Sequence, residues 1–401
     1  MLMSRLLTCP IRRLFPPFLI LSLGVFGASM AYADEDEANE PQAQAGTISD
    51  DDGLTIATAD EELKLHITGR FQLRYQFESA RGEPDRSSIY FRRIQPNIEG
   101  TALSEDLTFR LRPDISRDAS LRDAFVTYRF HDGFRLRAGQ FNVPFNWERH
   151  LPPTRQQFVE RSAANDEFQW TTGRDIGVMA HGDPTDQLRY GVGIFNGEGI
   201  NQGQSDSTGH VLTGRVVFAA LGSYQTSEVL VEPADELNLA IGVGGFAALD
   251  NSSRDWSFSP GFETIEADVF SATSDIHLRW SRLSAHVTGF FRHVEPGVSV
   301  PTTVQVPPGG VGPDEGPSSA QGLGWSAHVG TLLVPERLFA AVRYGQVDAD
   351  LDSPQRLHEA TAGLLIFHRA QHSKFHIESG LEFEESEAER FLARAQYQFL
   401  F

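Results

Sequence analysis

Between Leu63 and Phe77 the chain keeps a period of two. Leu63, Leu65, Ile67, Phe71, Leu73, Tyr75 and Phe77 hold the odd positions, with only Gly69 interrupting them. Lys64, His66, Thr68, Arg70, Gln72, Arg74 and Gln76 hold the even ones. Successive side chains of a strand point to opposite faces, so one face here is apolar and the other polar along the whole segment. No helix has this period. Strands of soluble proteins usually run about five or six residues, and the extra length predicts a tall barrel. A lone sheet with such a face would aggregate in water. In a bilayer the same face meets lipid, and closing the barrel removes every unpaired edge.

The alternation recurs to the end of the chain, where Phe391, Ala393, Ala395, Tyr397, Phe399 and Phe401 share one face. Sixteen strands are predicted, at 63–78, 89–102, 106–115, 121–131, 133–141, 173–182, 187–196, 210–220, 236–248, 264–280, 282–294, 320–333, 337–347, 357–367, 374–384 and 389–401. Their connections alternate between short (Ser104-Glu105, His131-Asp132-Gly133, Ser281, Pro335-Glu336) and long (79–88, 142–172, 197–209, 249–263, 295–319). That is the pattern of a transmembrane antiparallel β-barrel with periplasmic turns on one rim and outer loops on the other. The stretch 221–235 breaks it, being fifteen residues long where a short turn belongs. A soluble β-sandwich would need shorter strands buried on both sides.

Composition agrees once the barrel is in view. The mean hydropathy of −0.28 excludes a helical membrane protein but not a barrel, which needs only alternate residues to be apolar. A formal net charge of −20 argues against a nucleic-acid partner, which requires a basic face. Residues 1–33 read as a signal peptide, with Arg5, Arg12 and Arg13, an apolar core from Phe18 to Ala28, and Ala31-Tyr32-Ala33 before the cut. Cys9 goes with it, so no disulfide can staple the exported protein. Residues 34–62 carry eleven acidic residues and no basic one, and are expected to form an acidic, flexible periplasmic segment. Residues 63–401 form the barrel domain.

Several runs resemble the phosphate-selective porin O/P family. They are Asp52-Gly53-Leu54-Thr55-Ile56 leading into Leu65-His66-Ile67-Thr68-Gly69-Arg70-Phe71-Gln72-Leu73, and Phe91-Arg92-Arg93 entering Ile98-Glu99-Gly100. Ala138-Gly139-Gln140-Phe141-Asn142-Val143-Pro144-Phe145, Phe158-Val159-Glu160-Arg161, Arg174-Asp175-Ile176-Gly177-Val178, and the run from Tyr190 to Gly199 follow. Phe401 resembles the terminal aromatic signal of outer-membrane barrels. The resemblance implies a bacterial outer-membrane location, a homotrimer, and a third outer loop folded into the lumen. It also implies that the paired Arg92 and Arg93 contribute to the constriction. This chain departs from the lysine-rich members in having only Lys64 and Lys374.

Charge by segment points to the pore. Residues 63–161 hold seventeen Lys+Arg against twelve Asp+Glu, whereas 162–401 hold fourteen against thirty-one. Arg70, Arg74, Arg93, Arg110, Arg112, Arg129, Arg135 and Arg137 lie opposite the apolar stripe, and Arg149, Arg155 and Arg161 lie in the inner loop. By parity Arg92 faces lipid unless a bulge turns it inward. Guanidinium stays charged and suits phosphate or carboxylate. The expected function is passive diffusion of small solutes with a preference for anions, phosphate or another oxyanion. Glu99, Asp114, Asp123, Glu148 and Glu160 could instead neutralise the arginines, and Glu378, Glu382 and Glu384 form an acidic wall opposite. A non-selective or weakly cation-preferring porin is therefore the alternative, with a barrel enzyme or adhesin behind it. No nucleophile–base constellation, compact metal-ligand spacing or cofactor motif is present in the sequence.

Overall fold

The computed structural model describes residues 47–49, 53–58, 62–170, 173–202, 209–224, 226–251, 262–264, 267–296, 299–301, 319–351, 356–384 and 387–401. The expected signal peptide and most of the acidic segment lie outside these residues. Sixteen strands follow one another around the barrel. They are β1 (Leu63–Ala80), β2 (Arg86–Ala102), β3 (Ser104–Asp114), β4 (Ser120–His131), β5 (Phe134–Asn142), β6 (Arg174–Thr185), β7 (Leu188–Phe195) and β8 (Val211–Leu221). The second half comprises β9 (Ala234–Asn251), β10 (Ala267–Ser281), β11 (Leu283–Pro296), β12 (Ala320–Val334), β13 (Leu338–Asp348), β14 (Leu357–Arg369), β15 (Ser373–Glu384) and β16 (Glu387–Leu400). Each pairs antiparallel with the next, and β16 closes on β1 from Leu400↔Arg70 to Arg390↔Ala80. Closure matters because an unpaired backbone group in hydrocarbon costs several kcal/mol.

The period of two fixes which side faces out. On β10, Ser271, Thr273, Asp275 and His277 are buried inward, while Phe270 and Ile276 stand exposed on the outer face. Val126, Val342 and Ile377 belong to the same outer belt. The first short turn falls on Leu103, one residue ahead of Ser104-Glu105, in the left-handed region with φ 65°.

The acidic segment is not wholly a tail. Gly53–Ala57 is a strand that pairs with β1 from Leu54↔Ile67 to Ala57↔Lys64. It occupies the edge of β1 that β16, ending at Leu400↔Arg70, leaves bare.

Two segments fill the lumen. The connection from β5 to β6 carries α1 (Trp147–His150), a 3-10 turn (Pro153–Arg155) and α2 (Ala163–Phe168). Asn146 caps α1 and Ser162 caps α2, their side chains accepting from Arg149 N and Asn165 N. Phe145, Trp147, Leu151, Phe158, Val159 and Phe168 are all buried. Trp147 lies against His277 at 4.1 Å, and Phe168 stacks on Phe290 at 5.8 Å. Inward glycines make room for this packing. A Cβ on Gly244 would stand 2.2 Å from Phe145 O.

The long turn between β8 and β9 supplies the second segment, which explains its length. Val229 and Leu230 pack with Phe158, Leu332, Phe339, Leu365 and Phe367 in one buried cluster. Glu228 N donates to Arg155 O, and Gln157 N donates to Glu228 Oε2, both at 2.9 Å. Thus the loop from one rim and the turn from the other are joined inside the barrel.

Candidate functional site: an arginine-lined constriction

Between the inner loop and the wall of β1–β4 lies a cavity of about 480 Å³. Nine arginines line it: Arg70, Arg92, Arg93, Arg110, Arg112 and Arg122 from the wall, Arg149 and Arg161 from the loop, and Arg174 from the start of β6. Only three carboxylates, Asp114, Glu160 and Asp166, share the lining.

Two bulges concentrate the charge. Gln72 pairs with Arg93 and Leu73 with Phe91, so the register skips Arg92. Arg112 pairs with Asp123 and Pro113 with Leu121, so it skips Arg122. A skipped residue leaves the alternation, and each bulge adds an arginine to the inner face.

Four of the nine have carboxylate partners. Arg92 bonds Glu160 at 2.7 Å, Arg110 pairs with Glu99, and Arg112 and Arg174 share Asp123. The other five face no carboxylate at ion-pair distance among the described residues. Arg93 donates to Gln72 Oε1 at 2.8 Å, Arg149 to Gln169, and Arg161 to the carbonyls of Glu148 and Leu151. Arg70 has a buried Nε without any partner. Burial alone would raise the Glu160 carboxyl, but Arg74, Arg92 and Arg93 hold it well below the usual carboxylate range. Burial beside Arg215 and Arg137 pushes His150, also at the cavity, down to about 3, so it stays neutral.

Of the residues expected from sequence, Arg70, Arg92, Arg93, Arg110, Arg112, Arg149 and Arg161 come together here. Arg74 does not; it is 1% exposed and bonds Glu160 and Gln396 behind the cavity. Arg135 and Arg137 line a vestibule with Lys64, Arg129 and His181. Arg155 is held at Thr226 on the inward turn. Arg122 and Arg174 are the two that sequence reasoning missed. Simple alternation along β4 would set Arg122 on the lipid side, and Arg174 sits at a strand end where no alternation guides the eye.

Part of the acidic wall anchors the inner loop. Glu378 accepts from Val159 N at 2.9 Å and from Arg394 at 2.8 Å. Glu359 accepts from Ala163 N at 2.7 Å and pairs with Arg343. Glu382 pairs with Arg390 at 3.2 Å. His286 and His328 are likewise buried under the loop.

Comparison with known proteins follows the same lines. No curated protein matches the chain. Among solved structures, the barrel is similar to an anion-selective porin from Comamonas acidovorans at 11% identity, covering 85% of this chain and 100% of that one with a TM-score of 0.58. It is similar to the trimer form of OmpT of Vibrio cholerae at 11% identity, 84% and 99% coverage and a TM-score of 0.54. The DcaP channel of Acinetobacter baumannii aligns at 10% identity, 84% and 97% coverage and a TM-score of 0.54. Residues 65–236 match the family described as phosphate-selective porin O and P. Those residues span β1 to the start of β9 and carry every arginine that lines the cavity, and over them the chain is similar to that family of porins.

Proposed function

We propose that the channel is a passive diffusion pore that prefers anions, with phosphate or another small oxyanion as its solute, and that it works as a homotrimer. The observation that carries this reading is the imbalance in the arginine-lined cavity: five of its nine arginines have no carboxylate partner among the described residues, while Glu378 and Glu359 across the barrel anchor the loop. A charged ring selects ions by sign. Salt screens charges beyond about 8 Å, so the acidic segment and outer loops weigh little there. The trimer rests on the family resemblance, and OmpT, of similar fold, has a trimer form. No catalytic residue is assigned. Adding phosphate to single channels conducting chloride is expected to reduce the chloride current in a saturable way. Chloride current indifferent to phosphate would refute the oxyanion preference.

A further inference from the structure

A second cavity, of about 290 Å³, differs in chemistry from the first. It shares His150 with the arginine-lined cavity, and Arg137 and His181 with the vestibule, so it branches from the route between them. Pro144 of the inner loop, Met179 of β6 and Val217 of β8 give it an apolar wall, and Tyr224 of the inward turn adds an aromatic one. Three arginines reach it, and two of them are occupied. Arg215 pairs with Asp275 at 2.7 Å, and Arg189 pairs with Asp183 at 3.0 Å. Asp183 is also held by Arg135. Arg137 faces no carboxylate at ion-pair distance among the described residues. Its Nε donates to Thr127 Oγ1 at 3.0 Å and its guanidinium lies over the Phe125 ring at 4.2 Å. Its two terminal nitrogens have no partner among the described residues, and neither has the Tyr224 hydroxyl.

We propose that this branch binds an aryl carboxylate, a single aromatic ring bearing one carboxylate, with the head on Arg137 and the ring against Met179 and Val217. A guanidinium fork matches a carboxylate, and stacking on Phe125 holds this one in place. The ring gains by leaving water for the apolar wall, and the Met179 sulfur suits an aromatic edge. Phosphate is the wrong guest, because it needs donors all round and the apolar wall gives its oxygens none. The volume lies at the lower end of small-molecule pockets, which fits one ring. The site is separate from the oxyanion reading above, which concerns the first cavity. Arg137 also lines the vestibule, so a bound carboxylate removes a positive charge from the path and lowers the current.

The test titrates benzoate and acetate, equal in charge, into single channels carrying potassium chloride current in planar bilayers. Benzoate is expected to reduce the current in a saturable way, at a concentration about tenfold lower than acetate, the least that burying a ring should give. Arg137→Gln should weaken the benzoate effect about tenfold. Gly191→Leu fills the branch, since a Cβ there meets Pro144 Cβ at 3.3 Å and Met179 Sδ at 3.4 Å, and it should abolish the preference for benzoate over acetate. Acetate as effective as benzoate on the wild type, or a benzoate effect unchanged in Gly191→Leu, would overturn the inference. Indifference to phosphate with benzoate still effective would refute the oxyanion reading and uphold this site.

Discussion

Glu378 Oε2 accepts a 2.9 Å hydrogen bond from Val159 N, so a carboxylate of the far wall is an anchor of the inner loop. Its other oxygen holds Arg394 at 2.8 Å. Glu378→Ala leaves both donors unanswered in a buried place, at a cost of about 1–3 kcal/mol. The expected result is a lower unfolding temperature and noisier single-channel current, with the sign of selectivity unchanged. A variant that became strongly more anion-selective would show that Glu378 does face the permeating ion.

Glu160 ties the inner loop to two arginines, the buried Arg74 and the cavity's Arg92. Glu160→Gln strands Arg74, which is 1% exposed, without a counter-charge. Breaking a buried pair from one side costs about 3–5 kcal/mol. Thermal stability should therefore fall while anion preference in the folded fraction rises, as the constriction loses a negative charge. Unchanged melting would argue against the buried pairing.

Glu228 ties the inward turn to the loop, and burial next to Glu148 pushes its carboxyl up to about 7. The fold favours the protonated form. Its contribution is complete below the ordinary carboxylate range and is lost as pH rises through about 7. The stake is on the order of 3 kcal/mol at most. Glu228→Gln keeps an acceptor for Gln157 N and removes the titration, so its stability should vary less between mildly acid and alkaline buffer. Equal pH dependence in both proteins, read from thermal melts, would contradict this.

How much of this was legible beforehand follows from the physics of each face. Lipid accepts only apolar side chains, so the outer face wrote itself as a period of two and all sixteen strands could be located. The lumen face has no such single solvent. Arg110 meets Glu99 and Arg112 meets Asp123 directly across neighbouring strands, which only the register reveals. Arg122 reaches the pore through a bulge that parity alone assigns to lipid. Gly244 of β9 makes room for Phe145 O of the inner loop, a partner so distant in sequence that no local pattern signals it.

That contact gives a further test. Gly244→Ala sets a methyl 2.2 Å from a backbone oxygen, and neither side has a rotamer to yield. Overpacking of this kind costs about 1–3 kcal/mol, and a displaced Phe145 should change conductance. Gly289→Ala is the control, since its nearest neighbour is Ser274 Oγ at 3.8 Å. Conductance altered equally in both would remove Phe145 from the explanation.

Local charge at the arginine-lined cavity is expected to outweigh a total of −23 on residues 34–401. Arg70 and Arg122 are the arginines to remove, because both line the cavity and neither has a carboxylate partner among the described residues. The deciding measurement is the zero-current potential across a potassium chloride gradient, for the wild type and for the Arg70→Ala, Arg122→Ala double variant. The wild type is expected to be anion-selective, and the variant to shift toward cations. A cation-selective wild type, or a variant with the same potential, would contradict it.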